Sequence, residues 1–317
     1  MSLPPSYQPR RAARGEFVRV RGLNYHAMCW GDAALISAQR PALVMVHGWM
    51  DVGASFQFVV DALAAVEDPE RFIIAPDWRG FGLTQTPQAD SYWFPDYLGD
   101  LDALLDAYAP GQAVDLLGHS MGGNVVMSYA GVRPERIHRL INLEGFGLPA
   151  STPQQSPKRL ATWLDELKLP QEIKPYRSLQ AVAHRLMKNN PRLSADRAAW
   201  LAPHWARQVD DASGEGTWQI LGDPAHKRTN PVLYRVEEIL ETWKLIQAPL
   251  LWVEGAQTDI AKWWGERYPL AEFHQRLAVV PHSERHTLQD CGHMLHHDQP
   301  EALASLLAHF LGRDVAP

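Results

Sequence analysis

Cysteine is scarce: Cys29 and Cys291 are the only two in 317 residues. Two are too few for a disulfide framework, and their separation is not a metal-ligand spacing. A reducing, cytoplasmic setting is therefore expected. No run of eighteen apolar residues occurs, so no transmembrane helix is expected. The opening MSLPPSYQPRRAAR carries Arg10, Arg11 and Arg14 but lacks the apolar stretch of a secretory signal. Residues 1–14 read as a flexible tail. An excess of basic charge is also missing. Thirty Lys and Arg against 36 Asp and Glu give a net charge of −6, with both signs spread along the chain. That distribution offers no stripe for nucleic acid and no polybasic anchor for a membrane, so no partner class follows from charge, and the oligomeric state stays open.

What is present is apolar and patterned. At 46% hydrophobic, the chain can bury one large core, or a core and a smaller lid. Short β-rich runs (EFVRV, NYHAMCW, ALVMV, RFIIA, VDLL, LINLE, PLLWVE and HTLQD) alternate with helical spacing in SFQFVVDALAAV, FPDYLGDLDALLDAY and PEALASLLAHFLG. Buried strands separated by helical lengths predict an α/β fold with a mostly parallel sheet covered on both faces. The alternation stops between about Leu148 and Gln247, where one helical pattern follows another. This composition shift predicts a helical insertion at 148–247, with the core domain formed by 15–147 and 248–317.

Within VDLLGHSMGGNVVMSYA, the apolar period changes from strand to helix at Ser120. Gly118 and Gly122 flank it as G-x-S-x-G, where a Cβ at either place would strike neighbouring backbone. Ser120 is thereby pushed outward at a helix N-terminus, where N–H groups favour developing negative charge. That is a place for a nucleophile.

The pieces HGW, PDWRGFGLT, GHSMGG, a helical insertion and CGHMLHHDQPE follow one another in an order that resembles the α/β-hydrolase superfamily across nearly the whole chain. The resemblance implies an eight-stranded sheet, a helical cap inserted after the sixth strand, and Ser120 as nucleophile. Capped families with a carboxylate nucleophile, the haloalkane dehalogenases and epoxide hydrolases, carry aspartate where this chain has Ser120, which argues against both chemistries.

A serine hydroxyl needs a base. Among fourteen histidines, His293, in the loop after the last strand, matches the family's base position. His296 and His297 read as surface or supporting residues. These three lack a coherent face with an acidic ligand set, so no metal is expected, and no other cofactor. By the same resemblance His47 orders its loop, and the main-chain N–H groups of Trp49 and Met121 form the oxyanion hole. Two carboxylates compete to orient His293. Glu144 ends LINLE, while Asp259 follows the next strand but stands one residue late relative to the usual spacing from a glycine. Glu144 is favoured and Asp259 is the alternative. Asp77, Arg79, Gly80 and Gly82 read as loop-ordering residues, and His226, Lys227 and Arg228 as a solvated triplet. Of the insertion's Trp163, Trp200, Trp205, Trp218 and Trp243, a few should line an apolar cleft, with Trp205 and Trp163 the first candidates.

The expected activity is that of a cofactor-free serine hydrolase acting on a small or medium, largely apolar ester or related acyl compound. Thioester, lactone, amide or carbon–carbon bond hydrolysis and perhydrolysis are alternatives within chemistry. A ligand receptor or scaffold on the same fold is the alternative outside it.

Overall fold

The computed structural model describes residues 6–66, 71–210 and 216–313. In chain order the strands are β1 (Arg14–Val20), β2 (Leu23–Trp30), β3 (Leu43–Val46), β4 (Ile73–Pro76), β5 (Val114–His119), β6 (Ile137–Leu143), β7 (Ala206–Val209), β8 (Thr217–Ile220), β9 (Leu250–Gly255) and β10 (Ser283–Leu288). The helices are α1 (Gln57–Val66), α2 (Phe94–Tyr108), α3 (Met121–Val132), α4 (Ser156–Leu167), α5 (Leu179–Asn189), α6 (Ala195–Trp205), α7 (Val236–Trp243), α8 (Ala261–Trp264), α9 (Leu270–Leu277), α10 (Leu295–Asp298) and α11 (Pro300–Leu311).

Eight strands form one sheet in the order β1-β2-β4-β3-β5-β6-β9-β10. β2 runs antiparallel to both β1 and β4, and the remaining neighbours are parallel. Every residue of β3 and β5 is buried, as strands covered on both faces require. Alternate residues serve opposite faces. Val44, Val46, Leu116 and Leu140 join the core shared with α2, α3 and α9, while Leu43, Met45, Leu117 and Ile141 join the core shared with α1 and α11. β10, the mostly exposed SERHTL, closes one edge with polar side chains that discourage further pairing.

Two expectations are corrected here. The segment after β6 holds α4 to α7, but it also contains an antiparallel ribbon of β7 and β8, so it is not wholly helical. The N-terminal segment is not a loose tail in its described part. The Tyr7 hydroxyl and the N–H groups of Arg10 and Arg11 donate to the Asp61 carboxylate on α1. Residues 1–5 of the expected tail lie outside the described residues.

The segment carrying α4 to α7 packs on both faces of the sheet's core. Leu186 of α5 and Leu201 of α6 belong to the cluster around α1 and α11, whereas Trp243 of α7 belongs to the cluster around α3. Gly131 of α3 lets α7 come close, because a Cβ there would overlap the Thr242 carbonyl oxygen. This approach closes one wall of a cleft above the carboxyl ends of β5 and β6.

Candidate active site

Ser120 follows the last residue of β5 and opens α3 with φ 53° and ψ −115°. An L-residue adopts positive φ only where its surroundings enforce it. Here they do: a Cβ on Gly118 would overlap the backbone at Gly122, and one on Gly122 would overlap the carbonyl oxygens of Val46 and His47. The Ser120 N–H donates to Leu143 O at 2.8 Å, fixing the turn against β6.

His293 Nε2 lies 3.0 Å from Ser120 Oγ, and its Nδ1 lies 2.6 Å from Glu144 Oε2. Glu144, the residue after β6, is 1% exposed. Its other carboxylate oxygen accepts from the Gly255 N–H at 2.6 Å. Burial pushes the Glu144 carboxyl up to about 8, against the lowering effect of that N–H. Burial also disfavours the charged imidazole of His293, pushed down to about 4. Asp259 is not brought to His293. It is exposed, and its carboxylate accepts from the Ala261 N–H at the start of α8.

The remaining expected residues fall as follows. Trp49 and Met121 line the same cavity as Ser120 and His293. The Met121 N–H belongs to the first turn of α3, where donors have no intrahelical acceptor. His47 is fully buried and orders its loop: its Nδ1–H donates to Gly48 O, and its Nε2 accepts from the Trp78 N–H at 2.9 Å. Arg79 forks onto Asp100, with Nε at 2.5 Å and an Nη at 2.6 Å. Asp77 gathers the N–H groups of Gly53 and Leu83 together with His26 Nδ1, while Gly80 and Gly82 take positive φ.

Three readings change. His226, Lys227 and Arg228 are not simply solvated. The His226 ring stacks between Phe81 and Tyr92 at 4.0 and 3.6 Å, Lys227 donates to Glu172 O, and Arg228 donates to Asp90 O. His296 and His297 are buried, not on the surface. The cleft is an 830 Å³ cavity whose tryptophans are Trp49, Trp93, Trp243, Trp263 and Trp264. Only Trp243 among them comes from the insertion's expected five. Trp205 turns away to donate from Nε1 to Asp51, and Trp163 donates to Ser91.

Trp263, which packs edge-on against His293 at 4.6 Å, was missed by sequence reasoning. Its signal was the pair Trp263–Trp264, beside the loop carrying Asp259. Asp51 and His119 were also missed. The buried His119 donates from Nε2 to the carbonyl of His293 at 2.8 Å, directly beside the site.

A constellation of hydroxyl, imidazole and buried carboxylate at the floor of an apolar cavity can move a proton off the hydroxyl as it attacks a carbonyl. A family model described as the alpha/beta hydrolase fold matches residues 41–300. The chain is 27% identical over 284 residues to the cis-3-alkyl-4-alkyloxetan-2-one decarboxylase of Shewanella oneidensis, covering 86% of this chain and 82% of that protein. It is 27% identical over 263 residues to a serine hydrolase-like protein of Dictyostelium discoideum, covering 80% of this chain and 71% of that one. Among solved structures, the thioesterase domain from the curacin biosynthetic pathway superposes with a TM-score of 0.76 at 26% identity, covering 93% of this chain and 99% of that domain.

Proposed function

Since the chain belongs to the α/β hydrolase fold family and is a hydrolase, we propose that it cleaves a small to medium, largely apolar ester or related acyl compound through an acyl-enzyme on Ser120. The observation that carries this reading is the position of His293, 3.0 Å from Ser120 Oγ and 2.6 Å from Glu144, on an 830 Å³ cavity.

In this reading, Ser120 Oγ attacks the substrate carbonyl while His293 Nε2 takes its proton. Glu144 holds the imidazole with Nδ1–H toward the carboxylate and offsets the positive charge that develops on the ring. The N–H groups of Trp49 and Met121 receive the oxyanion, and neither has to break an intrahelical bond to do so. His293 then returns the proton to the leaving group, activates a water molecule and releases the acyl product. Glu144 takes the acid role in preference to Asp259 because only Glu144 reaches Nδ1.

The cavity favours an apolar acyl group, since Phe146, Leu148, Ile239 and Trp243 stand among its walls. We assign residues 148–247 as the cap that roofs it, with 15–147 and 248–317 as the core domain. Ile239 and Trp243 of α7 contribute the cap's inner surface. The thioesterase domain that the chain resembles supports this chemistry, whereas the Shewanella oneidensis relative is named for decarboxylating an alkyl-substituted oxetanone rather than hydrolysing it. Cys29 and Cys291 are buried and free, in keeping with a reducing, cytoplasmic setting. Among the described residues no helix is long and apolar enough to cross a membrane.

The test is incubation with a serine-directed alkyl phosphonate, followed by turnover of aryl esters graded in acyl length. Covalent labelling at Ser120 together with ester turnover is expected. Absence of both would leave the receptor or scaffold reading in its place.

A further inference from the structure

Behind the nucleophile lies a second cluster that the proposed chemistry does not use. Asp51, His119 and His296 are 4%, 2% and 0% exposed, and one donor atom from each lies within 4.8 Å of the others. We propose that these three residues form a binding site for a divalent transition-metal ion of the zinc or cobalt class.

The hydrogen bonds around each residue leave at least one ligand atom free. Asp51 Oδ1 accepts from the Val52 N–H, the Ser55 hydroxyl and Trp205 Nε1, whereas Oδ2 has no partner among the described residues. His119 donates from Nε2 to the His293 carbonyl. That fixes its tautomer and leaves a bare lone pair on the buried, unpartnered Nδ1. Neither ring nitrogen of His296 has a hydrogen-bond partner, and its Nε2 stands 3.8 Å from Asp51 Oδ2. Buried polar atoms are almost always satisfied, so this many orphans at one point call for an occupant.

Charge narrows the occupant. Among the described residues no lysine or arginine pairs with Asp51, whose ion-pair contact is His296 at 3.8 Å. A buried carboxylate beside two imidazole lone pairs attracts a cation and offers nothing to an anion. Two imidazoles with one carboxylate suit zinc, cobalt, nickel or copper better than magnesium or calcium. Tetrahedral ligand bonds of about 2.0–2.2 Å would bring the three donor atoms to about 3.3–3.6 Å from one another, so the site must close in from a present spacing of up to 4.8 Å. His297 also has unpartnered ring nitrogens, and its ring packs at a tilt against His296 at 4.4 Å, but it stands outside the three-residue group.

The placement gives such an ion a positioning role. Asp51 follows Trp49 by two residues, His119 precedes Ser120, and His296 follows His293 by three. One ion would therefore tie together the three segments that carry the oxyanion N–H, the nucleophile and the base.

The test uses the whole protein and cobalt(II) alone. The protein is loaded with cobalt(II) chloride, passed through gel filtration, and its metal is counted by mass spectrometry and by visible d–d absorption. One retained cobalt per chain with a low-coordinate spectrum is expected. Retention should fall at least tenfold in Asp51→Asn and His296→Gln, and persist in His297→Gln. No cobalt on the wild-type protein overturns the proposal whether or not the variants fold. Equal retention in the two ligand variants also overturns it, by moving the metal to other histidines. Metal counting is independent of turnover, so its failure leaves the labelling of Ser120 unaffected.

Discussion

Ser120 and Glu144 leave neighbouring parallel strands in the same way. β5 and β6 end with His119 paired to Leu143, and the next residue of each takes a left-handed backbone, at φ 53° for Ser120 and 55° for Glu144. Two strained residues side by side at the carboxyl edge of a sheet indicate that the fold holds them there against their backbone preference. His293 spans the distance between them.

The acid assignment is tested by paired amides. Glu144→Gln should lower kcat on the order of 10⁴-fold, because an amide can donate to Nδ1 and stabilise the wrong tautomer. Asp259→Asn, at an exposed helix start, should change kcat by less than about twofold. The reverse ranking in steady-state kinetics would move the acid to Asp259.

The pH profile follows from the same pair. Burial raises the Glu144 carboxyl to about 8. While protonated, it donates to Nδ1 and leaves the proton on Nε2, facing Ser120 with a donor where a base is needed. Loss of the proton is therefore the activating step, and kcat/KM should climb with pH and level off above about 8. Glu144→Gln should lose that rise. A wild-type profile that is flat or falling across this range would contradict the assignment.

The cavity walls make a separate claim. Each methylene buried contributes ~0.8 kcal/mol, so two more on the acyl chain should raise kcat/KM roughly tenfold until the cavity is full. Trp243→Leu should move the optimum to longer chains while leaving the shortest ester nearly unchanged. Trp205→Phe, outside the cavity, should leave the dependence on chain length unaltered. An unmoved optimum in Trp243→Leu, measured across graded aryl esters, would remove that wall from the binding site.

The turn itself can be probed by stability. Gly122→Ala drives a methyl group into the carbonyl oxygens of Val46 and His47, neither of which can move without disturbing β3. A loss of at least about 1–3 kcal/mol is expected from urea unfolding. An unchanged midpoint would mean that the turn is looser than its packing indicates.

Much of this was legible in the sequence because it rests on local period. FPDYLGDLDALLDAY becomes α2 from its first residue to its last, and the eight short β-rich runs fall on the eight strands of the sheet. Ser120 was legible through its glycines, whose need for space is a local property. The cavity walls were not. Trp263 reaches His293 through a four-residue helix after β9, and Trp93 precedes α2, so only the tertiary approach of distant segments places them. The β7–β8 ribbon was hidden because ARQV and TWQI are four residues each and mostly partly or fully exposed; ARQV does not alternate, and the alternation of TWQI is too short to stand out among helical patterns. The N-terminal segment is held by Asp61, about fifty residues away, through main-chain donors that any sequence supplies.

The measurement closest to the central claim is the trapping of the acyl-enzyme. An aryl ester is mixed with the protein, the reaction is acid-quenched within the first turnovers, and the digest is read by mass spectrometry. The peptide containing Ser120 is expected to gain the mass of the acyl group, and Ser120→Ala is expected to fold normally, form no adduct and not turn over. Turnover by Ser120→Ala, or an adduct on any other residue, would contradict it.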